Sequence, residues 1–132
     1  MSLRRDVVIL ACAVSAGVHG ALAPAHFGEG VGAGVGFVAA TVVLSGLVVA
    51  LTLWPTSRPP LVGAAIVFAG LLASYFLVAT TGLLPFHPQP DQVDGLALAT
   101  KSFEAVGLLT ATGLLRRRPV ASLLIHPKGT LT

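Results

Sequence analysis

Cysteine and charge are both scarce in this chain, and each scarcity removes a class of function. One cysteine, Cys12, cannot form an internal disulfide framework, and it also excludes thiol exchange chemistry that needs a cysteine pair. Charged residues make up only 10% of 132 residues, too few to clothe a soluble core, so a water-soluble enzyme is not the expected class. With 55% hydrophobic residues and no polar low-complexity tract, an intrinsically disordered chain is excluded as well. No internal repeat is strong enough to argue a duplicated hairpin. The glycine-rich stretch from Gly28 to Gly36 lacks the Lys and Ser/Thr of a phosphate loop, so helix packing is its better explanation.

What remains is apolar sequence, with a mean hydropathy of +0.90, divided by a few charges. A bilayer core about 30 Å thick needs roughly 20 apolar helical residues. Four segments between the charges qualify or nearly do: residues 7–23, 31–54, 61–84 and 96–115. The expected fold is therefore all-α, an antiparallel bundle of four transmembrane helices in one domain over residues 1–118, followed by a short tail, 119–132. Arg4, Arg5, an apolar run and Ala21-Leu22-Ala23 together resemble a cleavable signal. Pro24 just after the cleavage-like site opposes removal, so the first helix is expected to be kept.

Basic residues favour cytoplasmic flanks. With four crossings, seven of the eight basic residues (Arg4, Arg5, Arg58, Arg116, Arg117, Arg118 and Lys128) share the side of both termini, whereas Glu29, Asp91 and Asp94 lie on the other. A multi-pass protein of the cell's inner (cytoplasmic) membrane with both termini cytoplasmic is the expected arrangement. The net charge of +3 reflects this asymmetry and an attraction to anionic headgroups of the lipid bilayer, and nucleic acid is not an expected partner. Small residues at four-residue spacing (Ala13, Gly17, Ala21; Gly32, Gly36, Ala40; Ala65, Ala69, Ala73) offer faces for close helix packing, within the bundle or in a homo-oligomer or larger membrane complex. Pro55, Pro59 and Pro60 end the second helix and delay the third, Trp54 suits an interfacial anchor, and Asp94 is placed to cap the fourth helix.

Ionisable groups inside a bilayer are costly and mark function by default. Counting 1.5 Å per residue from the outer helix ends puts His19 about 6 Å deep, Lys101 about 7.5 Å, Ser15 and Glu104 about 12 Å, Tyr75 about 13 Å and Thr41 about 15 Å. These matching depths point to an outward-opening polar pocket that binds a small ligand, with Ser15, Thr41, Tyr75 and Glu104 near its floor and Lys101 higher. The alternative is structural: Lys101 and Glu104, three residues apart, pair and fix helix register. A candidate metal set surrounds the mouth: His19, His26, Glu29, His87, Asp91 and Asp94. Imidazole and carboxylate suit Zn, Fe or Cu, although the spacing matches no diagnostic motif. Haem fits less well, because only His19 lies inside a span. Ser15 and His19 share a helix face but have no orienting carboxylate on that helix, so a nucleophile and base pair is not favoured and no catalytic residue is assigned.

The stretch from His19 to Glu29, then Thr80-Thr81-Gly82, Pro85-Phe86 and an acidic residue midway along the fourth helix, resembles a class of small four-span bacterial membrane proteins. More distantly the chain is similar to the DoxX-like proteins, compact four-helix membrane proteins often linked to redox complexes. The resemblance implies a four-helix bundle and supplies no activity. Small multidrug transporters share the size but carry their membrane glutamate on helix 1, where this chain has none. Three functions stay open: a ligand- or metal-binding membrane protein, an accessory or scaffold subunit of a respiratory or transport complex, and a small oxidoreductase or proton-coupled transporter. The last is weakened by inner half-spans without a carboxylate or histidine.

Overall fold

A computed structural model describes residues 3–81 and 94–116, and all of its regular structure is helical. Helix α1 spans Leu3–Glu29, α2 Val31–Leu53, α3 Pro59–Thr81 and α4 Gly95–Arg116. Three of the four, α1, α2 and α3, are long and apolar enough to cross a membrane. Helix α4 is as long but falls outside that group; Lys101, Ser102 and Glu104 interrupt its apolar run. The last residues expected in the third span, 82–84, the loop to residue 93 and the tail after residue 116 lie outside the described residues.

Helix α1 runs through Pro24, which the sequence places beyond its end. Proline has no N–H to give the Gly20 carbonyl, but apolar surroundings and neighbouring helices tolerate that one missing bond. Residues 24–29 therefore continue the helix instead of forming a loop, and Gly30 alone separates α1 from α2. Its N–H donates to His26 O (3.1 Å) and its carbonyl accepts from Gly34 N (3.1 Å), so the backbone ladder hardly lapses. At the other end of α2, Trp54 N donates to Ala50 O and Ser57 N to Trp54 O, forming the turn into α3. Pro59 and Pro60 open α3 two residues earlier than expected, where proline's missing donor is harmless. Asp94 caps α4 as expected: its Oδ1 accepts from Ala97 N at 2.7 Å.

Helix α1 packs against α2 and α4, α3 packs against α4, and of the four main seams α2–α3 is the thinnest. Buried residues on α1 are Arg5, Val8, Ala11, Cys12, Ser15, Ala16, His19 and Ala23, a stripe at three- and four-residue steps. The small-residue row Ala13, Gly17 and Ala21 therefore does not pack within the bundle; it faces outward, as do Ala69 and Ala73. The reason is energetic. Ser15 and His19 need partners away from lipid more than small residues need close contact, and they turn the helix accordingly.

The apolar core gathers Val8, Ala11 and Cys12 of α1, Leu44 and Leu51 of α2, Leu61, Ala64 and Phe68 of α3, and Ala111 of α4. Gly107 lets α4 close on it, since a Cβ there would stand 2.9 Å from the Ala11 Cβ and 2.5 Å from the Phe68 ring. Arg5 is buried too. Its Nε donates to Leu51 O (3.1 Å) and its Nη2 to Trp54 O (2.6 Å), closing the last turn of α2 with a cation. Outside, Val35, Val42, Ile66, Phe76 and Leu109 are all more than half exposed, an apolar coat that a bilayer solvates and water would not.

Candidate polar cluster and cavity

Four side chains form a connected polar layer across the middle of the bundle. Glu104 on α4 is completely buried. Ser15 Oγ of α1 donates to its Oε1 at 2.7 Å, and Lys101 Nζ, one turn earlier on α4, donates to its Oε2 at 2.8 Å. Both carboxylate oxygens are therefore engaged, and the ion pair is neutral as a unit. A buried ion pair is tolerable only with such complete bonding. The same ammonium lies 5.3 Å from the Tyr75 ring centroid, a cation–π contact that ties α4 to α3. The Tyr75 hydroxyl is buried without a hydrogen-bond partner among the described residues.

His19 adds a defined tautomer. Its Nδ1 is 2.8 Å from the Ser15 carbonyl oxygen, which can only accept, so Nδ1 carries a proton. In the neutral ring Nε2 is then a lone-pair acceptor, and it has no hydrogen bond among the described residues. His26 repeats the pattern two helical turns on, with Nδ1 donating to Leu22 O at 3.0 Å. Phe37 of α2 stacks on His26 at 3.6 Å between ring centroids and lies 5.1 Å from His19.

Beyond this layer, toward the C-terminal end of α1 and the N-terminal end of α4, the helices part around a cavity of about 520 Å³. Lys101, Tyr75, His19, His26, Glu29 and Asp94 all line it, among apolar walls. Its volume falls in the usual range of small-molecule pockets. Ser15, Glu104 and Thr41 do not line it. Ser15 and Glu104 lie behind Lys101, and Thr41 spends its hydroxyl on Phe37 O (2.9 Å) while its methyl group lies against Gly20 at the α1–α2 seam. Of the expected floor only Tyr75 borders the cavity, and Lys101, expected higher, borders it as the outer end of the Ser15–Glu104–Lys101 cluster.

The expected metal set is only partly gathered. His26 Nε2 and Glu29 Oε2 are 3.9 Å apart, Asp94 is engaged as the cap of α4, and His87 and Asp91 lie outside the described residues. No three His, Cys, Asp or Glu side chains converge as a metal site among the described residues. The orienting carboxylate missing from the Ser15–His19 row is present in space as Glu104. It accepts the hydrogen bond of the serine hydroxyl and leaves the imidazole on a backbone carbonyl, which is the wrong order for activating a nucleophile. Sequence reasoning assigned no local partner to Arg5 and did not single out Phe37. The pairing of a basic residue near the start of α1 with the end of α2 could have been found by asking what caps α2. Phe37 sits in an ordinary apolar run and gave no signal.

Comparison with family models, with curated proteins and with solved structures finds no match to this chain.

Proposed function

We propose that this chain is a small integral membrane protein that binds a small molecule in the cavity between its four helices. The observation that carries this reading is one cavity wall that combines Lys101, held by Glu104, with His19, whose Nε2 has no hydrogen bond among the described residues, inside a mostly apolar space. A protein that needed only a register-fixing ion pair would close helices over it; here the pair borders open volume. Metal is the weaker form of the proposal, since the described donors do not converge. The second reading, an accessory subunit, draws support from the outward-facing Ala13, Gly17 and Ala21, which suit a neighbouring helix. Kinship with small four-span bacterial membrane proteins, location in the inner membrane, and an arrangement with α4 as the fourth crossing and both termini cytoplasmic complete the proposal, the last supported by the distribution of Lys and Arg.

The test is native mass spectrometry of protein released from lipid nanodiscs, joined to elemental analysis before and after chelator. An organic adduct retained by the wild type and lost in Ala40→Phe, which fills the cavity, is the expected result. Stoichiometric metal removed by chelator and absent from His19→Ala would replace the small molecule with a metal. Neither adduct nor metal, in folded protein, would move the assignment to the accessory subunit.

A further inference from the structure

Three properties of the cavity constrain its ligand. The first is charge. Lys101 is neutralised by Glu104 at 2.8 Å, so a carboxylate head on a ligand would bring an uncompensated negative charge into a mostly apolar space, with Glu29 and Asp94 also on the wall. An ammonium head would face Lys101 itself. A neutral head avoids both costs. The second property is hydrogen bonding: Lys101 has donors to spare beyond the one used by Glu104, and His19 Nε2 accepts. A hydroxyl can bond to both and a carbonyl to the first. The buried Tyr75 hydroxyl in the same wall, without a partner among the described residues, adds polar capacity there.

The third property is where the cavity opens. Gly36 of α2 and Ser74 of α3 both line it and are both exposed, and they belong to the helix pair that packs least closely among the four main seams. A Cβ at Gly36 would meet nothing within 4 Å among the described residues, so α2 is open at that position. Ser74 does not make the gap polar, because its hydroxyl donates to Leu71 O at 3.0 Å. On the faces flanking the seam, Val35, Val38, Phe76 and Leu77 are exposed and apolar, as a bilayer-facing entrance requires.

Resting on the pocket reading above, we propose that the ligand is a neutral, membrane-resident amphiphile: an apolar body with one hydroxyl or carbonyl head, admitted sideways from the bilayer between α2 and α3. Its head sits at Lys101 and His19. Its body lies along Val18, Leu22, Leu71, Val78 and Leu96 and trails through the seam.

The experiment uses the full chain in nanodiscs with three probes that share a diazirine-bearing tail: hexadecanol, hexadecanoic acid and hexadecylamine. After irradiation, labelled residues are mapped by peptide mass spectrometry. The expected result is labelling of cavity residues by the alcohol at roughly tenfold or more over the acid and the amine, the least that burying an unpaired charge should cost. Gly36→Leu, which narrows the seam from α2, and Ser74→Leu, which narrows it from α3, should each reduce that labelling, and helical circular dichroism reports which variant is folded. Equal cavity labelling by all three heads, or preference for a charged one, overturns the neutral ligand while the pocket stands. Unchanged labelling in both folded variants overturns entry through the seam. Cavity labelling by no probe overturns the inference, and the nanodisc adduct measurement then decides the pocket reading separately.

Discussion

Toward the N-terminal end of α1, Val8, Leu51, Leu61 and Phe68 meet across the bundle with no exposure above 7%. Toward the opposite end, the same four helices part around about 520 Å³. The packed end is held by shape: small Ala11, Ala64, Gly107 and Ala111 admit the Phe68 ring. The open end is held by polar pairing at Ser15, Glu104 and Lys101 and by the stacking of His26 on Phe37. In a bilayer apolar burial does not by itself favour helix over lipid, so a membrane bundle needs either close fit or specific polar bonds. This chain uses one at each end, and the Glu104 layer is the border between them.

Breaking that border should have the largest effect. Glu104→Gln leaves the Lys101 ammonium without its anion, and the loss of one partner of a buried pair costs about 3–5 kcal/mol. Unfolding of detergent-solubilised protein should show that loss, and the double variant Lys101→Met/Glu104→Gln should recover most of it. A single variant as stable as the wild type would mean that the cavity solvates Lys101 well enough to dispense with Glu104, and the two ends would then be independent. Overfilling the packed end comes next. Gly107→Ala places a methyl group 2.9 Å from the Ala11 Cβ and against the Phe68 ring, so a destabilisation of about 1–3 kcal/mol is expected. Adding Phe68→Leu should return part of it, because the two changes share one contact. Strict additivity of the two would contradict the close fit.

Arg5 gives a smaller effect at the outermost layer of the packed end. Arg5→Met uncaps Leu51 O and Trp54 O and should cost about 1–2 kcal/mol, read as a lower unfolding midpoint and faster amide exchange in the last turn of α2. Exchange unchanged at Leu53 and Trp54 would show that the cap carries no stability.

The helices themselves were legible because hydropathy and the scarcity of charge dictate them. Asp94 as the cap of α4 was equally plain, since a carboxylate before a helix has one dominant use. Pro24 misled because the rule that proline ends helices is strongest in water, where a freed carbonyl has an alternative partner. The small-residue rows did not by themselves choose the inward face of α1. Four-residue rows of small side chains exist on several faces, and only the need of Ser15 and His19 for partners selects one. Depth counting placed Ser15, Tyr75 and Glu104 at one level with Lys101 above them, but could not separate the residues that border the cavity from those sealed behind it. That distinction depends on side-chain direction across helices, which a one-dimensional pattern does not contain. Glu104, read from sequence either as part of the pocket floor or as the partner of Lys101, has both oxygens engaged, one by Ser15 and one by Lys101.

Gly36 sharpens the comparison with the smallest expected change in stability. Gly107 and Gly36 both lie within helices, but a side chain at Gly107 strikes α1 and α3 whereas one at Gly36 enters open space. In a helix interior glycine is worse than a larger residue by about 0.5–1 kcal/mol. Gly36→Leu should therefore leave stability unchanged or raise it by up to about 0.5 kcal/mol, with any gain in propensity partly offset by contacts at the seam. The same substitution should diminish whatever occupies the cavity. Stability and occupancy thus move in opposite directions at Gly36, while at Gly107 a larger side chain harms the fold itself. If Gly36→Leu unfolded the protein as readily as Gly107→Ala, the α2–α3 seam would be as tightly packed as the α3–α4 contact, and the contrast between the two ends of the bundle would fail.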